Sequence, residues 1–145
     1  MARADRTMPW KALALTVLVV SLWINLSEVL RYFVIVLPAI RDHLAELPGA
    51  AAMSVPIFLV WALWDTLLVI FVVLLDWLTW ERFGPGLTGL LSAATLAWML
   101  FLLFWIAMVN MGLAPAALLP VVLSLAWLEM VVACWLARRC YRRWL

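Results

Sequence analysis

The sequence predicts an all-α integral membrane protein: four transmembrane helices in an up-down antiparallel bundle, with a short interfacial helix on the outer side, all one domain. Three observations lead there. The chain is 70% hydrophobic and only 12% charged over 145 residues. Soluble domains are nearer half apolar and a quarter charged, and a chain this short has too much surface to hide the excess in a water-surrounded core. Four apolar stretches each reach the ~20 residues a helix needs to cross hydrocarbon. The helix breakers fall between those stretches, at Leu47-Pro48-Gly49, at Gly84-Pro85-Gly86 and over residues 112–115.

The first span is expected over about residues 10–37. Its basic start and apolar continuation resemble a secretion signal, but the run is too long and no small-x-small cleavage site follows, so a retained span is expected. Residues 38–47 have Ile40, Leu44 and Leu47 on one face and Arg41, Asp42, His43 and Glu46 mostly on the other. That pattern suits a helix lying flat on the outer surface. The second, third and fourth spans are expected over about residues 52–80, 87–111 and 116–137, followed by a basic tail over residues 138–145. Short connections make consecutive helices antiparallel neighbours.

Positive charge gathers at Arg3, Arg6 and Lys11 and again at Arg138, Arg139, Arg142 and Arg143. Both clusters flank apolar runs, so the charge rule places both termini in the cytoplasm, a bacterial inner membrane being the expected setting. Four arginines beside a span are read as contacts for anionic lipid rather than for nucleic acid.

Several chemistries lack their residues. Cys134 and Cys140 are six apart on one helix with no CxxC or Cys/His cluster, so neither a disulfide scaffold nor a zinc site is expected. There is no paired His at helical spacing, no Gly-rich phosphate loop and no nucleophile elbow. No cofactor is expected, and an enzyme is the less favoured class.

Tryptophan is abundant, with eleven copies. Trp10, Trp77, Trp80, Trp135 and Trp144 fall near span ends, the ordinary aromatic belt. Trp23, Trp61, Trp64, Trp98, Trp105 and Trp127 fall deeper, as packing residues or as walls of a pocket that stacks on a ligand or holds a cation.

The charged groups inside the spans carry the functional reading. Each costs roughly 2.5–3.5 kcal/mol at the centre of a spanning helix, so each is expected to have a partner or a task. Ser21, Asn25, Glu28 and Tyr32 form a polar stripe on span one, and Arg31 follows Glu28 at contact spacing. A self-satisfied Glu28–Arg31 pair near the headgroups is the plain alternative. Asp65 has apolar sequence for several turns on both sides and a side chain too short to reach an interface. Asp76 shares its face about 16 Å away, near the inner end where solvation alone would explain it. Glu129 shares a face with Ala126 and Ala133, which favours close helix approach. Thr88, Ser92, Thr95 and Asn110 align on span three, either as a hydrogen-bonding wall opposite Asp65 or as ordinary packing. His43 stands where it could exchange protons at the outer mouth.

If Glu28, Asp65 and Glu129 face one another, Arg31 is the only span-embedded cation among them, and a proton or a bound cation must make up the charge. The leading expectation is a homo-oligomeric proton-coupled transporter or channel for a small or cationic solute. Its site residues are Asp65, Glu28, Glu129, Arg31, Asn25, Trp61 and Trp64. Four short spans enclose little volume, hence the expectation of more than one copy. The alternative is an accessory subunit of a larger membrane complex, because Trp98, Met99, Phe101, Phe104 and Trp105 cover span three nearly all round. A lipid-modifying enzyme using the carboxylates as acid and base ranks last.

Overall fold

The computed structural model of the chain describes residues 9–47 and 53–144. Their regular structure is all helical, with no strand among the described residues. In order they form α1 (Trp10–Arg31), a π-helical stretch (Tyr32–Val36), α2 (Leu37–His43), α3 (Val55–Phe83), α4 (Leu87–Asn110), a 3-10 turn (Ala116–Leu118) and α5 (Leu119–Trp144). Four helical runs are long and apolar enough to cross a membrane: Trp10–His43, Val55–Phe83, Leu87–Asn110 and Ala116–Arg143.

The segment expected as a separate outer helix is instead continuous with the first run. α2 follows α1 through the π-helical stretch, and the chain turns only at Leu44. Pro38 explains the widened turn. It has no N–H to donate, and its ring would clash with the carbonyl four residues back. Opening the helix just upstream, where the Leu37 N–H bonds the Tyr32 carbonyl, lets the run pass the proline unbroken. The prolines of α3 and α5 cost nothing comparable, because Pro56 and Pro120 lie in the first turn, where no intrahelical donor is needed. α3 stops at Gly84, whose φ of 77° suits glycine and whose N–H bonds the Trp80 carbonyl.

Apolar residues cover these helices outside as well as inside. Leu18, Leu22, Leu26 and Leu30 make an exposed ridge on α1. Hydropathy therefore does not choose the inward face; residue size does. α5 turns Val122, Ala126, Met130, Ala133, Ala137 and Tyr141 inward with no exposure. α4 answers with Ala93, Ala94 and Ala97, so the two backbones approach closely. α1 contributes Ala12, Thr16, Val20 and Ile24, and α3 contributes Val69, Val72 and Val73. α5 packs on α1, α3 and α4, and is the centre of the assembly.

Deep tryptophans lock this arrangement. Trp23 of α1 donates to the Glu129 carbonyl (3.0 Å), and Trp98 of α4 donates to the Leu123 carbonyl (2.8 Å). Each uses the spare lone pair of a carbonyl in the α5 helix.

Gly89 marks a close approach beside Arg138. A Cβ there would meet the Arg138 Nη2 at 3.1 Å, the Gly84 carbonyl oxygen at 3.2 Å and the Phe83 Cβ at 3.3 Å. Gly89→Val is expected to lower stability by about 1–3 kcal/mol by overpacking. Gly89→Ala should stay near the parent, because its tight contact is offset by up to ~1 kcal/mol of helix propensity. Thermal unfolding in detergent micelles checks both; a valine variant as stable as the parent would mean that Arg138 yields freely.

Candidate functional site

Two polar clusters lie in the interior. The first is centred on Arg31. Its position near the end of α1 places it in line with the inward ridge, and it is 7% exposed. One terminal nitrogen donates to Glu28, one turn earlier on α1, and the other donates to Glu129 of α5. The guanidinium also lies over the Phe101 ring of α4, 5.4 Å from its centroid. One cation thus ties three helices together, with two carboxylates as its partners.

Asp65 joins this cluster without joining its ion pairs. It is 2% exposed, within electrostatic range of Glu28 and Arg31, and next to Trp61 one turn earlier. Its Oδ1 accepts no hydrogen bond, and neither does the Oε1 of Glu129. Three acids therefore surround one base, and two of their buried oxygens are unsatisfied.

A cavity of about 480 Å3 opens in front of the cluster. Glu28 and Arg31 form its polar wall. Tyr32, Trp61, Trp64, Phe101, Phe104 and Trp105 form its aromatic walls, and Ile40, Met53 and Met108 also line it. Tyr32 and Trp61 meet edge to face at 4.9 Å. The π-helical stretch begins at Tyr32, so the irregular backbone borders the cavity, a place where such widened turns recur in functional sites.

The second cluster is centred on Arg138 of α5, which is 3% exposed. Its Nε donates to Asp76 Oδ1 (2.8 Å), its Nη1 to the Gly86 carbonyl (2.9 Å) and its Nη2 to the Thr79 hydroxyl (3.3 Å). Beside it the Tyr141 hydroxyl donates to the Val73 carbonyl (3.0 Å), between the edges of Trp77 and Trp80. This cluster ties the C-terminal ends of α3 and α5 to the start of α4. At the opposite end His43 bonds the Gly112 carbonyl at 3.1 Å, in the turn after α4.

The structure brings together Glu28, Arg31, Asp65, Glu129, Trp61 and Trp64 from the expected set. Asn25 stays apart: its amide donates back to the Ser21 carbonyl (2.9 Å) and hydroxyl (3.2 Å), so the polar stripe satisfies itself locally. The Thr88–Ser92–Thr95–Asn110 face does not form a buried wall opposite Asp65. Thr88, Thr95 and Asn110 are exposed and Ser92 is half-buried, and Thr95 accepts a hydrogen bond from Trp127 instead. Asp76 is not solvated but fully buried, and Arg138, one of the four arginines expected at lipid, is 3% exposed and pairs with it; the pairing offsets part of the cost of burying both charges, while Asp76 Oδ2 accepts no hydrogen bond. Arg139, Arg142 and Arg143 remain exposed. Nor do Asp65 and Asp76 share a polar route, since Leu68, Val69, Val72 and Val73 fill the buried face between them. Both cysteines are free, and Cys134 is buried. Among the described residues no cluster of three or more His, Cys, Asp or Glu could hold a metal ion.

Comparison with known proteins adds no relative: no family model, no curated protein and no solved structure matches this chain.

Proposed function

We propose that the chain inserts as four antiparallel spans and works, in two or more copies, as a proton-coupled transporter for a hydrophobic organic cation. The observation that carries the reading is the aromatic cavity whose polar wall is Glu28 and Arg31, the two residues through which it meets the buried cluster that also holds Glu129 and Asp65. Aromatic faces attract cations, the more so when desolvated. The uncompensated carboxylate charge can be met either by a proton or by the solute, and that either-or is the basis of exchange. The up-down arrangement is supported by the contacts of the helix ends, since Arg138 joins the ends of α3 and α5 to the start of α4. Membrane placement is supported by the exposed apolar side chains on every long helix.

The test is uptake of ethidium, a fluorescent hydrophobic cation, into proteoliposomes with an imposed acidic interior. Uptake is expected to exceed that of protein-free vesicles and to collapse when the pH gradient is dissipated. Uptake no faster than in protein-free vesicles would remove the proposal and leave the subunit role as the better reading.

A further inference from the structure

A second pocket, of about 270 Å3, lies at the Arg138 end. It is bordered by Gly86 and Leu87 at the start of α4 and by Trp135, Arg138, Arg139 and Arg142 on α5. We propose that it binds a phosphate group, that of an anionic lipid headgroup or free phosphate, between the arginines and the open end of α4.

Three features support this. Arg138 is committed to Asp76, Thr79 and the Gly86 carbonyl, so its charge is already balanced. Arg139 and Arg142 take part in none of the three ion pairs among the described residues, yet both line the pocket. They are held there on aromatic platforms: the Arg139 guanidinium lies over Trp135 at 4.5 Å, and that of Arg142 over Trp80 at 6.0 Å. Two guanidinia on one pocket, each over an aromatic ring and in no ion pair among the described residues, suit the paired oxygens of a phosphate. The N-cap of α4 is Gly86, which has no side chain to satisfy the first-turn N–H groups. Those donors add a third source of attraction for an anion. Arg143 is equally basic but does not line the pocket, which separates a built site from general surface charge. The inference does not depend on transport, and only its lipid arm depends on membrane insertion.

The test uses the full chain purified in a nonionic detergent, with the shift of its thermal midpoint as readout. Phosphatidylglycerol, phosphatidylcholine and inorganic phosphate are titrated separately. Saturable stabilisation by phosphatidylglycerol beyond that by phosphatidylcholine identifies a headgroup site; saturable stabilisation by inorganic phosphate alone identifies a free-phosphate site. In either case Arg139→Gln/Arg142→Gln is expected to weaken binding about tenfold or more, and Arg143→Gln less than about twofold. Leu87→Glu, a change at an exposed position that adds a carboxylate to the pocket, should weaken it comparably. The proposal is overturned if no anion stabilises saturably, or if Arg143→Gln weakens binding as much as the paired change.

Discussion

Replacing Arg31 by glutamine is expected to cost about 3–5 kcal/mol of stability, the scale of breaking a buried ion pair from one side. The substitution leaves Glu28 and Glu129, both partners of the same guanidinium, facing each other without a cation. Glu129 starts with one oxygen already unsatisfied and is 3% exposed, so water cannot take over. Thermal or denaturant unfolding in micelles measures the loss. Two further variants identify its cause. Arg31→Gln/Glu129→Gln removes one of the opposed charges and should recover more than half of the deficit. Arg31→Lys keeps the charge but not the two-pronged geometry, and should fall in between. The Arg31→Gln deficit should also shrink on acidification, since a protonated carboxyl is cheaper to bury than a charged one. An Arg31→Gln variant as stable as the parent at neutral pH would show that these acids are not confined as the structure places them.

What was legible in the sequence divides along physical lines. The four helices were legible because spanning length and composition are one-dimensional properties. The Glu28–Arg31 contact was legible in its i, i+3 spacing, whereas their meeting with Glu129 and Asp65 stood only as a condition, because spacing within one helix does not say which faces of different helices meet. Helix rotation was not legible. When every face is apolar, periodicity carries little information, and the hydroxyl stripe of α4 looked like the inward face. The structure turns Ala93, Ala94 and Ala97 inward instead, because small residues allow close packing while threonines satisfy themselves locally, as Thr66 does on the Ala62 carbonyl. The Asp76–Arg138 pair was missed because both residues lie near span ends, where solvation explains either one alone. Gly89, the residue that makes room for Arg138, was the available signal. The continuity of the first helix past Pro38 was missed because a proline usually ends a helix, and the π-helical relief upstream has no sequence signature of its own.

Asp65→Asn is expected to reduce proton-coupled uptake by about 10²-fold or more, the scale of losing a proton-transfer group, while leaving the fold intact. Glu28 and Glu129 can change protonation only by giving up a bond to Arg31. Asp65 takes part in no ion pair among the described residues and has an oxygen without a hydrogen bond, so a proton can arrive or leave without breaking one. Asparagine has nearly the same shape but no titratable proton, and it removes a charge from a site that is 2% exposed. Replacing a buried charge by a neutral group of similar volume is often neutral or stabilising, so the thermal midpoint should match or exceed the parent's. That opposite movement of stability and activity is what a functional carboxylate produces and a structural one does not. If Asp65 instead held the helices together, uptake and stability would fall together, and acidification would not compensate. Equal uptake by parent and variant would take Asp65 out of the mechanism and leave the proton to the Arg31-bound pair, where each transfer must open a buried ion pair first.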